Sequence, residues 1–165
     1  MEELNNIIQA DQEQLLGSID DYQADIVKTF LQSTSNDYLQ SADYWLNAGP
    51  ANTAKFGGEP NKTKIYRDKL LEELEKFLCG DERYEEDRKK IATSGDKSQK
   101  YIIGVMSAAI GKTLGAAGAF IAPVIVLLIL SIGKMAVNAW CEMRKETRST
   151  AGNSGSCCTT PFFRK

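Results

Sequence analysis

The residues able to do chemistry are few, and their spacing argues against an active site. The chain has no histidine, which removes the commonest general base and the commonest metal ligand. Its four cysteines are Cys79, Cys141, Cys157 and Cys158. None has CxxC spacing, the adjacent ones near the tail make poor zinc geometry, and a disulfide framework is not indicated. Such usage suits a reducing compartment. Cys79 falls at the C-terminal end of a helical pattern, where the negative end of the helix dipole disfavours a thiolate, so it reads as a buried packing residue. Glu82, Glu85, Glu86 and Asp87 could form a metal cluster. Arg83, Arg88, Lys89 and Lys90 are interleaved with them and neutralise them in place, the pattern of a solvated helix face. Gly111-Lys112-Thr113 has the ending of a phosphate-binding loop, but the glycine that loop needs five places earlier is Met106, and no strand pattern precedes it. Gly57-Gly58 also lacks a preceding strand. The expectation is a protein that is not an enzyme and uses no cofactor or metal.

Charge divides the chain. Residues 1–92 carry 19 acidic and 11 basic side chains, and residues 93–165 carry 3 acidic and 9 basic. The acidic half makes nucleic acid a poor partner. The basic half surrounds a long apolar stretch and suits an anionic membrane surface.

The elements that must position these residues are helical. Leu4, Ile7, Ile8, Leu15 and Leu16 mark residues 2–16, with a break at Gly17-Ser18. Ile19, Tyr22, Ile26, Val27, Phe30 and Leu31 recur at spacings of three and four. Tyr38, Leu39, Ala42, Trp45 and Leu46 mark a third helix. Residues 47–61 form a loop by composition, with Phe56 as a packed anchor. Tyr66, Leu70, Leu71, Leu74, Phe77 and Leu78 give the clearest stripe, stopped at Gly80. Residues 81–92 read as an exposed helix. The best boundary lies at Thr93-Ser94-Gly95-Asp96. The expected organisation is an acidic helical module over 1–92, a linker over 93–100, an apolar membrane segment over 101–141, and a basic disordered tail over 142–165.

Residues 102–141 contain two charges, Lys112 and Lys134, and residues 113–133 contain none. As one helix those 21 residues would be about 31 Å long, enough for the roughly 30 Å core of a bilayer. Membrane insertion is therefore expected over the alternative, a buried core helix. A single span kinked near Pro123 is favoured. The other layout is a hairpin of 101–117 and 124–141 that turns near 118–123 and carries Lys112 into the membrane. On one helix Ser107, Gly111, Gly115 and Ala119 would stack along one side, a face for close helix packing, with Lys112 beside it as a packing or pore-lining residue. Trp140, Arg144 and Lys145 stand where a membrane interface should be. Lys100 and Lys112 on the N-side of the span stand against Lys134, Arg144, Lys145 and Arg148 on the C-side, a two-charge bias that weakly puts the C-side in the cytoplasm and leaves the orientation open. Cys157-Cys158 could be lipidated, but no prenylation box follows, and a free tail is expected.

The architecture resembles small membrane-acting proteins that pair a helical soluble module with an apolar helix or hairpin, as pore-forming toxins and membrane-depolarising effectors of bacterial defence do. The resemblance is one of layout and rests on no motif. It implies a non-enzymatic membrane effector that oligomerises through the small-residue face. Its helical module would control it, lie in the cytoplasm and offer a surface for a protein partner. The alternatives are a membrane-anchored adaptor and a soluble all-α interaction module with the apolar helix buried.

Overall fold

A computed structural model describes residues 2–48 and 60–152. Phe56, the Gly57-Gly58 pair and Cys157-Cys158 lie outside the described residues. Those described form nine α-helices and a 3-10 turn, with no strand among them. The helices are α1 (Glu2–Gln9), α2 (Gln12–Leu16), α3 (Asp21–Ser33), α4 (Tyr38–Ala48), α5 (Pro60–Leu78), α6 (Glu85–Thr93), α7 (Gln99–Leu114), α8 (Gly118–Ile132) and α9 (Val137–Gly152), with the 3-10 turn at Glu82–Tyr84 before α6.

Local chemistry sets several boundaries. Asp11 caps α2 in a reciprocal box: Gln14 N–H donates to Asp11 Oδ1, and Asp11 N–H donates to Gln14 Oε1, both at 2.9 Å. This satisfies two backbone donors that a helix start leaves open. Ser98 caps α7 by accepting from the Tyr101 N–H at 3.1 Å. Ser98 is held in turn by Asp96, whose carboxylate accepts from the Ser98 N–H at 2.9 Å. That backbone bond lowers the Asp96 pKa by stabilising its charged form.

The apolar stretch is two helices. α7 ends at Leu114 because Gly115 takes a left-handed conformation, φ +74°, which a glycine adopts without penalty. The Gly115 and Ala116 N–H groups both turn back to the Gly111 carbonyl, closing the helix end. Ala117 is extended, and α8 leaves at 112° to α7. The single helix expected over 113–133 is therefore not formed. The hairpin layout is nearer, but its turn lies at 115–117, and Pro123 stands inside α8. With 15 residues, α8 is about 22 Å long. No single helix among those described is long and apolar enough to cross a membrane; the bent pair α7–α8 satisfies length and composition together.

α8 lies at the centre. It packs against α1, α2, α3, α4, α5 and α7, and Val124, Ile125, Val126, Leu127 and Leu128 are completely inaccessible. The surrounding helices supply Ile7, Leu15, Val27, Leu46, Leu70 and Leu74. A helix apolar on every side requires this setting in water. One continuous core takes side chains from Leu4 through Cys141, drawing on both the 1–92 and the 101–141 segments. The 94–98 connection joins two parts of that core, and Lys97 pins it by donating to the carbonyls of Ile91 at 3.0 Å and Ala92 at 2.8 Å.

Candidate functional site

The candidate site is the apolar α7–α8 pair, in which α8 is buried and α7 keeps Gly104, Ala108 and Lys112 exposed, with the side chains that fasten it and the following helix α9. At the crossing of α7 and α8, backbones approach where side chains are smallest. A Cβ on Gly111 would lie 2.5 Å from the Ala116 carbonyl oxygen, and one on Gly118 would lie 3.1 Å from Ala108 Cα. Ser107 and Gly111 are buried in this contact, and the Ser107 hydroxyl has no hydrogen-bond partner. Gly115 forms the turn and Ala119 opens α8 on its exposed side. The structure thus joins Ser107 and Gly111 with Gly118, and separates them from Gly115 and Ala119.

Pro123 cannot donate to the carbonyl four residues before it, that of Ala119. Gln23 on α3 supplies the missing donor, its Nε2 reaching Ala119 O at 2.8 Å. The next carbonyl, that of Phe120, accepts from Trp45 Nε1 on α4 at 2.8 Å. The jacket thereby satisfies the irregular start of α8. Neither role is legible in the sequence, where Trp45 is a member of an apolar stripe and Gln23 fits no pattern.

Lys112 is exposed and faces a cleft of about 480 Å³ with Arg83, Lys90, Asp87 and Thr113. Beneath it, the Tyr84 hydroxyl donates to buried Glu73 at 2.6 Å and sits 3.0 Å from Thr113 Oγ1. Burial and the Glu73 carboxylate push the Tyr84 pKa up, since both penalise a phenolate. Of the four carboxylates considered for a metal, Glu82, Glu85 and Glu86 are exposed, and Asp87 sits 3.6 Å from Lys90. Among the described residues no three potential ligands gather in metal-binding geometry. Nearer the start of α5, Arg67 binds Asp43 of α4 at 2.8 Å. The second Asp43 oxygen is buried without a partner, and desolvation raises that carboxyl's pKa against the pull of Arg67.

The residues assigned to a membrane interface lie on α9, against α5. Trp140 is 3% exposed. The Arg144 guanidinium lies 5.8 Å from the Trp140 ring centroid and donates through Nε to Glu75 Oε1 at 2.9 Å. Arg148 binds the other Glu75 oxygen. Lys145 makes a surface pair with Glu142 at 3.5 Å.

Cys79 and Cys141 form a disulfide, with Cα atoms 5.7 Å apart. This corrects the reading of Cys79 as a buried packing residue and of the sequence as one in which no disulfide is indicated. The partners are 62 residues apart, and only the docking of α9 on α5 brings them together. A signal did exist in the spacing. Glu75 and Cys79 are four apart, while Cys141, Arg144 and Arg148 fall at i, i+3 and i+7, so each set lies on one helix face.

No family model, curated protein or solved structure matches this chain.

Proposed function

We propose that this protein is a non-enzymatic membrane-acting effector. It stores the apolar helix α8 inside a jacket of helices that includes α7, and delivers the α7–α8 pair to a bilayer when the jacket opens. The observation that carries this reading is the combination of an uncharged stretch over 113–133 with a fold that hides it: α8 is wrapped by six other helices, and two side-chain hydrogen bonds, from Gln23 and Trp45, fasten its first turn. Apolar burial is non-directional, so acyl chains can replace the jacket's contacts. The small residues Ser107 and Gly111 would then be free to pack against other copies. The acidic outer surface would serve a controlling protein partner.

The test is dye release from vesicles by the purified full chain. Release that rises more steeply than linearly with protein concentration is expected. Intact vesicles at all concentrations, after conditions that open the fold, would remove the membrane reading.

A second reading has its own observation. Complete burial of residues 124–128 is also what the core helix of a water-soluble interaction module requires. That module would stay in the supernatant with any vesicle and give a single gel-filtration peak without detergent.

A further inference from the structure

We infer that α9 is a stored membrane-surface helix, held shut by Glu75 and the Cys79–Cys141 disulfide and released by a dithiol reductant onto anionic lipid. The inference rests on the membrane-acting reading.

The composition of α9 comes first. Val137, Trp140 and Cys141 form its buried side, and Arg144, Lys145 and Arg148 follow. An aromatic and apolar face continued by cations is the make-up of a helix that lies in a bilayer interface and binds anionic headgroups. In the folded protein that face is occupied. Trp140 is covered, Cys141 is bonded to Cys79, and Arg144 and Arg148 share the carboxylate of Glu75, itself 4% exposed. Glu75 offers two guanidinium groups the oxygen anion that a lipid phosphate would offer. The latch and the headgroup therefore compete for the same arginines.

The disulfide decides that competition. It keeps α9 beside α5, so the ion pairs re-form whenever they open. Once it is cleaved, the ties left among the described residues are the Val137 N–H bond to Asn5 Oδ1 at 2.9 Å, the packing of the Val137, Trp140 and Cys141 side chains, and the Glu75 pairs. The arginine side chains of those pairs are 29% and 62% exposed, so solvent and salt weaken them. The chemistry is ordinary exchange. A thiolate of the dithiol attacks one sulfur of the pair and forms a mixed disulfide, and the second thiol then displaces it. The reductant loses two electrons and leaves as its own cyclic disulfide. Cys79 and Cys141 gain those electrons and each take up a proton.

The experiment is co-sedimentation of the full chain with vesicles. A Cys157→Ser/Cys158→Ser background leaves Cys79–Cys141 as the one available pair. Vesicles of phosphatidylcholine with phosphatidylglycerol are compared with phosphatidylcholine alone, before and after dithiothreitol. Reduction should raise binding to the anionic vesicles about tenfold and leave the neutral ones unbound. Arg144→Gln/Arg148→Gln should remove the gain, and high salt should reverse it. Equal binding before and after reduction overturns the inference, as does a gain that survives the arginine substitutions. So does equal binding to both kinds of vesicle. Cys79→Ser/Cys141→Ser should bind without reductant; if that variant does not fold, the dithiothreitol arm still decides. Dye release from the same samples separates the two ideas. Redox-gated binding without release keeps the latch and removes the hairpin reading, and release without redox-gated binding does the reverse.

Discussion

α8 and α9 are held in opposite ways. α8 is surrounded by six helices, and residues 124–128 have no exposure, so its place is maintained by the exclusion of water. α9 is docked on one side, by a covalent bond, a shared carboxylate and one indole. Burial answers weakly to salt, pH and reductant, whereas ion pairs answer to salt and disulfides to reductant. The most apolar helix is thus the one least sensitive to conditions, and α9, docked on α1 and α5, is the one that salt and reductant can reach.

The largest expected effect comes from taking α8 away. Residues 1–92 expressed alone lack the helix that their apolar faces cover. They should show no cooperative thermal transition by circular dichroism. A sharp melt would mean that the first six helices have a sufficient core of their own, as the sequence pattern suggests.

Within the intact chain, Leu127→Ala removes a side chain with no exposure. It should cost about 2–5 kcal/mol in urea unfolding, with the loss unchanged by salt or reductant. Cleaving the disulfide, which spans 62 residues, should cost about 2–4 kcal/mol. Its loss should also free α9 to exchange amide hydrogens while α8 stays protected. Faster exchange in both helices together would mean that they form one cooperative unit, and the comparison would fail.

Gln23→Leu tests the one polar tie that Pro123 demands. It leaves Ala119 O without its donor and should cost about 1 kcal/mol. Gln23→Glu should cost more, because it sets a buried carboxylate against the Ala119 carbonyl oxygen.

The smallest effect concerns Tyr84. Its pKa is raised in the folded protein, so the neutral phenol is favoured by folding. The sign follows: this contribution is full below the unfolded value near 10 and is lost as pH rises through the higher folded value. The melting temperature should fall as pH is taken above about 10, and Tyr84→Phe should flatten that part of the fall. At neutral pH the same variant should lose about 1 kcal/mol, because the hydroxyl's bond to Glu73 is gone. An unchanged alkaline slope would mean that Tyr84 ionises freely in the fold.

Much of the helical order is written locally. The stripe from Tyr66 to Leu78 depends on neighbours within a turn or two and is read from spacing. The Asp11–Gln14 box and the Ser98 cap are as local, but the apolar pattern runs 2–16 as one helix and hides the box that divides it. The all-α class follows from those signals alone. The surroundings of the uncharged run do not, because lipid tails and leucine side chains ask the same thing of a helix, that it be apolar. Only the packing of six helices around α8 places it in a protein interior here. The break at Gly115 was also hidden: a glycine next to alanines reads equally as a close-packing position or as a left-handed helix end, and the approach of α8 to Gly111 decides. The docking of α9 decided the rest. Cys79 and Cys141, like Glu75 and its arginines, sit on faces with correct internal spacing, but nothing within either helix names its partner. That choice belongs to tertiary structure, since it depends on which surfaces remain once the core has closed.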